Sequence, residues 1–172
     1  METLGAVVVG AVITGLASYV VTSQQTQATN EEALRTQRTN AYPQFMADSE
    51  ELDHTHVQFV ELIVKNPSRH SKEAIAAIKK PVDDAMSKVS KDVSMVSLIG
   101  SPRAATIANR MMTIDYERHQ VVVLIEHGVI IEAPDDAYSE AKRLLVQSID
   151  NKEHNDLLEQ FTLQAREDVS QK

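Results

Sequence analysis

Hydrophobic and polar positions are distributed unevenly along the chain, and the first block is apolar. Leu4 to Val21 forms an 18-residue run interrupted only by Thr14, Ser18 and small residues. At a rise of 1.5 Å per residue it makes a helix of about 27 Å, close to the roughly 30 Å hydrocarbon core of a bilayer. A secretory signal carries a positive n-region, whereas the one charged side chain ahead of this run is Glu2. Residues 1–21 are therefore predicted to be an uncleaved transmembrane anchor. Residues 22–42 read as a polar linker or helical stalk: Thr29 or Asn30 can cap a helix opening on Glu31 and Glu32, or the membrane helix can run straight on.

From Pro43 the apolar positions recur at steps of three and four, the mark of helices with one buried stripe. A segment from Pro43 to about Asn66 carries Phe45, Met46, Leu52, Phe59, Leu62 and Ile63, and Asn66-Pro67-Ser68 ends it. A segment from Ser71 to Ile99 carries Ile75, Ile78, Val82, Met86, Val89, Val93 and Val96. Pro81 inside that segment is expected to kink or divide it. Gly100-Ser101-Pro102 is the clearest punctuation: a helix C′ glycine, an N-cap serine and a first-turn proline. The next helix runs on through Met111 and Met112 and includes Val121 to Ile125. Gly128 and Pro134 bracket a break, and Asp135 or Asp136 opens a last helical region with Leu144, Leu145, Ile149, Leu157, Leu158, Phe161 and Leu163. The predicted fold is all-α: a transmembrane helix followed by an antiparallel bundle of about four or five helices over residues 43–172.

Composition sharpens this picture. Of 172 residues only five are Gly and five Pro, and three of the glycines fall in the apolar run, so the remainder favours helices. The formal net charge is −8, and no charged side chain lies between Thr3 and Asn30. An acidic domain lacks the basic footprint of a nucleic-acid binder. The chain has no cysteine, which excludes disulfides and cysteine-held zinc or iron–sulfur centres. Arg35 and Arg38 follow the span and no Lys or Arg precedes it, which directs the C-terminal domain to the cytoplasm.

Within the span, Ala6, Gly10, Thr14 and Ser18 fall at successive i+4 positions on one ridge. Small residues so placed let helix backbones approach closely in lipid, and these four are the candidate residues for helix–helix association.

The remaining chemistry is sparse. Glu51-Leu-Asp-His54 has the Glu-x-x-His spacing of di-iron bundles, but a second such motif is absent from the chain. His54 and His56 are about 200° apart around a helix and cannot share a metal, so both are expected on a solvated face. Glu126 and His127 are adjacent and do not face each other on a helix. Phosphate-cradling glycine loops and a nucleophile elbow are absent. No metal, cofactor, catalytic residue or small-molecule substrate is assigned.

Arg38-Thr-Asn-Ala41-Tyr42-Pro-Gln-Phe45 reads Arg-x-x-Ala-Tyr-x-x-Phe soon after the span. Val96 to Ile99 ends in Gly100-Ser101-Pro102, and Phe161 precedes Ala165-Arg166-Glu-Asp168. In these three places the chain resembles a group of small single-pass bacterial membrane proteins of actinobacterial type, from which Pro43 is a departure. The resemblance implies an anchored helical bundle and no catalytic residues. Tyr42 and Phe45 are expected in the bundle core.

The expected function is that of a non-enzymatic, membrane-anchored interaction or scaffold protein, with the lipid bilayer and a protein partner or second copy as its partners. An alternative is a membrane-permeabilising or defence-type effector that oligomerises in the bilayer. A third is a metal-binding bundle enzyme using Glu51 and His54.

Overall fold

The computed structural model describes the backbone of residues 3–65, 71–126, 143 and 152–170, and the side chains of these from Thr29 on, apart from Lys65 and Lys72. Among the described residues there are four helices: α1 (Thr3–Lys65), α2 (Lys72–Ile99), α3 (Pro102–Glu126) and α4 (Lys152–Ser170). The chain divides into a first unit ending at Gln37 and a second beginning at Arg38. All packing described below belongs to the second unit.

Side-chain contacts fix the helix directions there. Arg38 reaches Ile99 and Glu51 reaches Lys88, so α1 and α2 are antiparallel. Asn109 reaches Ser97 and Glu126 reaches Lys79, which makes α2 and α3 antiparallel. Tyr42 meets Asp168 while Ser49 meets His154, so α4 runs against α1 as well. The result is an up-down-up-down bundle of the kind expected.

Each helix turns a seam with heptad-like spacing toward the core. On α1 the seam positions Tyr42, Phe45, Ser49, Leu52, His56, Phe59 and Ile63 are buried at alternating steps of three and four, with Asp48 and Val60 buried beside them. On α2 they include Ile75, Val82, Met86, Val89, Val93 and Val96, and on α3 Ala104, Ala108, Met111, Asp115, Arg118, Val122 and Ile125. Phe161 of α4 sits edge-on between Tyr42 and Phe45, with ring centroids 5.3 and 4.7 Å away. Burying each of these rings contributes about 1.5–3 kcal/mol, with about 0.5–1.5 kcal/mol more from each edge-to-face pair.

The α2–α3 corner follows the Gly-Ser-Pro reading with one change. Ser101 caps α3 by accepting from the Ala104 amide at 3.2 Å, and Pro102 opens the first turn. Gly100 ends α2 in an extended conformation, φ −73° and ψ 169°, rather than as a left-handed C′ residue. Ser71 caps α2 through the Ala74 amide.

Several expectations are corrected. Pro81 does not divide α2, and Pro43 lies inside α1 rather than at the head of a new helix. Both prolines are exposed, as are Thr39 and Ala77, whose carbonyls lose their i+4 partner, so water can satisfy them. Packing of Tyr42 and Phe45 around one proline, and of Val82 and Ala85 beside the other, keeps the helix going. Thr29 and Asn30 lie within α1, which runs straight through them, so they open no new helix. Leu62 and Leu163, read as stripe positions, are exposed. His56, expected on a solvated face, is buried in the α1 seam, whereas His54 is exposed.

Among the described residues no helix is long and apolar enough to cross a membrane. The side chains of Leu4–Val21, with the association residues Ala6, Gly10, Thr14 and Ser18, lie outside the described residues. So do the structures of Gly128 to Pro134, Asp135, Asp136, Leu144, Leu145 and Ile149.

Candidate functional site

Two polar assemblies interrupt the apolar core. The first lies where α1, α4 and the α2–α3 corner meet. Tyr42 is one turn after Arg38 on α1, and its hydroxyl donates to Asp168 Oδ2 of α4 at 2.6 Å. The Ser101 amide points at the same spot, 3.3 Å from the Tyr42 hydroxyl and 3.4 Å from Asp168 Oδ2. Gln164 donates to Asp168 Oδ1 at 2.7 Å. Arg38 Nε donates to the Ile99 carbonyl at 2.6 Å, closing an otherwise open α2 C-terminus.

Electrostatics follow from these bonds. Burial alone would push the Asp168 carboxyl up, but its donors Tyr42, Gln164 and Ser101 outweigh burial and hold it below the usual carboxylate range. Burial, reinforced by the bond to Asp168, pushes the Tyr42 phenol up to about 12. The pair is thus a neutral phenol donating to an anion.

Beside this knot runs a groove of about 490 Å³ between α1 and α4. Thr39, Tyr42, Pro43 and Met46 form one wall, and Thr162, Ala165, Val169 and Ser170 the other. Among the described residues its charged lining is Arg38 and Arg166, with no Asp or Glu side chain.

The second assembly crosses the middle of the bundle. Arg118 Nη1 of α3 lies 2.8 Å from Asp53 Oδ1 of α1 and 3.7 Å from Asp115 Oδ1. Asp115 is fully buried and 3.5 Å from His154 Nε2 of α4. Ser49 Oγ lies 3.5 Å from the same nitrogen. Ser49, His154 and Asp115 have the composition of a nucleophilic triad but not its geometry. In a triad the acid and the nucleophile address opposite ring nitrogens, and the hydroxyl meets substrate. Here both address Nε2, and all three side chains are buried.

Next along α1, His56 is buried, and neither ring nitrogen has a hydrogen-bond partner among the described residues; the Leu52 backbone beside it favours the charged form. Its ring is 6.3 Å from that of His119. Burial, then the charge of Arg118 and the neighbourhood of His119, push His56 down to about 3. His119 is also pushed down, by burial first, although Asp83 lies 3.3 Å from its Nε2. Beyond it, Lys79 bridges Asp83 at 2.8 Å and Glu126 at 3.1 Å.

The structure does not bring the Glu51–His54 pair to a common centre. Glu51 accepts from Lys88, and His54 Nε2 meets Gln58 at 2.8 Å. Among the described residues, no three His, Cys, Asp or Glu side chains converge on a metal position.

Asp115, Arg118 and His154 belong to none of the motifs read from the sequence. Their spacing carried a signal: Met111, Asp115, Arg118, Val122 and Ile125 are in phase, so the polar pair sits on the buried seam. By contrast, the three short motifs around Arg38–Phe45, Gly100–Pro102 and Phe161–Asp168 converge in the first assembly.

No family model, curated protein or solved structure matches the chain.

Proposed function

We propose that this chain is a non-enzymatic interaction module tethered to a membrane by residues 1–21, with residues from Arg38 on forming the working helical bundle. The observation that carries the reading is the uncharged stretch from Thr3 to Asn30, with an 18-residue apolar run at its heart, followed by residues 31–172, which hold all the chain's bases and all its acids but Glu2. Such an anchor raises the local concentration of the bundle for a partner in or at the same membrane. The Ala6, Gly10, Thr14 and Ser18 ridge then offers a face for pairing two copies. The buried polar layer supports a structural rather than catalytic role, since polar groups on heptad seams fix register. The bundle is assigned to the cytoplasm on the Arg35 and Arg38 asymmetry.

The test uses the absence of native cysteine. A single cysteine at exposed Ser170, in full chain expressed in bacterial cells, is treated with a membrane-impermeant maleimide before and after permeabilisation. The reading expects carbonate-resistant membrane association, lost on deletion of residues 4–21, and labelling only after permeabilisation. It expects a dimer or higher assembly in nanodiscs that Gly10→Ile converts to monomer. Release of the intact chain by carbonate overturns the anchor, and a monomeric wild type overturns the ridge. Collapse of membrane potential on expression, relieved by Gly10→Ile, would replace tethering with pore formation.

A further inference from the structure

The α1–α4 groove goes beyond the tethering reading and does not depend on it. It is concave, and its volume of about 490 Å³ falls in the usual range for small-molecule sites, roughly 300–1,000 Å³. Its α1 wall runs from Arg38 to Met46, two helical turns or about 12 Å. Two turns on each helix are too little for a stable protein interface, which buries about 800 Å² on each partner. The groove therefore suits a small ligand rather than a docked helix.

Its chemistry narrows the ligand. Tyr42, Pro43, Met46, Ala165 and Val169 give an apolar track, and among the described residues the charged lining is two arginines in a protein of net charge −8. Arg38 is held by its Nε bond to the Ile99 carbonyl, and its terminal nitrogens carry four further N–H groups. Arg166 is exposed at the groove. Asp168, beneath the floor, has its charge taken up by Tyr42, Gln164 and Ser101. Guanidinium forks match a carboxylate with paired, charge-assisted hydrogen bonds. An extended chain advances about 1.2 Å per bond, so about ten to twelve carbons cover the apolar track.

We propose that this groove binds a medium-chain fatty acid, its carboxylate at the Arg38 and Arg166 guanidinium groups and its chain along Met46 and Val169.

Full-length chain in phosphatidylcholine nanodiscs, or free in buffer should it prove not to insert, is titrated with lauric acid and photolabelled with diazirine-bearing laurate. Empty discs supply the partition background. The expected result is saturable binding at one site per chain, with adducts on the peptides carrying Met46 and Val169. Arg166→Gln should weaken binding about tenfold. Thr39→Trp, at an exposed helix position lining the groove, should abolish it by filling the track. Methyl laurate, lacking the charge, should bind at least tenfold more weakly. The proposal is overturned if no saturable binding is found, or if adducts fall only on Leu4–Val21. It is equally overturned if neither substitution changes labelling, or if anionic phospholipid or an acidic helical peptide occupies the groove in preference to laurate. Unchanged helical content and melting temperature of both variants show that they are folded.

Discussion

The Tyr42 hydroxyl donates to Asp168 Oδ2 at 2.6 Å, joining α1 to α4 across 126 positions of sequence. The Ser101 amide, 3.4 Å from the same oxygen, draws the α2–α3 corner into the same bond. One carboxylate oxygen thus gathers three chain segments. Such a bond, part-shielded and with a charged acceptor, contributes about 1.5–3 kcal/mol. Tyr42→Phe is expected to cost about 2 kcal/mol and Asp168→Asn a similar amount, with the double variant well below additive. Urea unfolding of the four proteins measures this, and strict additivity would show that the bond carries no coupling. Asp168 is held low, so its contribution is present above the unfolded carboxyl range and lost as pH falls through its folded value.

Gly100 is constrained by space, not by conformation. Its φ of −73° suits any residue, but a Cβ there would lie 2.4 Å from the Val96 carbonyl oxygen and 3.1 Å from the Tyr42 hydroxyl. The first neighbour is backbone and cannot swing aside. Gly100→Ala is predicted to destabilise the bundle by about 1–3 kcal/mol, in the range of overpacked cores. It should also weaken the coupling between Tyr42 and Asp168. An unchanged melting temperature would refute the close approach.

These two sites mark how far the sequence was legible. Helix periodicity, the Ser101 cap and the buried Tyr42 and Phe45 could be read directly, because each depends on residues within a few positions of one another. The Tyr42–Asp168 bond could not, because periodicity says which face is buried and nothing of what it meets. Pro43 and Pro81 misled because the carbonyls they leave open belong to exposed residues, where water can reach them, and tertiary packing holds the helix on either side. His56 was expected on a solvated face, and Asp115, Arg118 and His154 lie in no motif that would single them out. A stricter reading would have found all four in phase with apolar seam residues, as Leu52, His56, Phe59 and Ile63 show. The groove was invisible for another reason: its walls come from helices more than a hundred residues apart, and neither wall is distinctive alone.

Asp92 and Asp48 form an acidic contact between α2 and α1. Burial first, then a hydrogen bond to Asp48 and its charge, push the Asp92 carboxyl up to about 6. Its folded value lies above its unfolded one, so its contribution is complete below the unfolded value near 3.8 and lost as pH rises through about 6. Asp92→Asn removes this loss while keeping a donor for Asp48. The variant should be more stable than the parent at pH 8, by about 1–2 kcal/mol after allowing for partial solvent screening, and no more stable at pH 4. Equal gains at both pH values would assign the effect to packing rather than to charge.

The histidines at the centre of the bundle act in the opposite direction. His56 faces Arg118 and His119 of α3, His154 of α4 and, through His119, the Asp83–Lys79 pair of α2. Its folded value of about 3 lies below the ordinary 6.5. The stability it preserves is therefore complete above pH 6.5 and declines as pH falls, because only the unfolded chain takes up the proton. The slope is about 1.4 kcal/mol per pH unit for one such group. His119, also held low, adds in the same sense over its own window, whereas Asp92 offsets part of the loss between pH 6 and pH 4. Urea unfolding followed by circular dichroism at pH 7.5, 6.0 and 5.0 should show the parent weakening steeply below 6.5. His56→Leu, which fills the site without a titrating group, should flatten that decline by about one proton's worth. Parallel pH curves for parent and variant would mean that His56 is protonated inside the bundle and that its burial sets no acid limit.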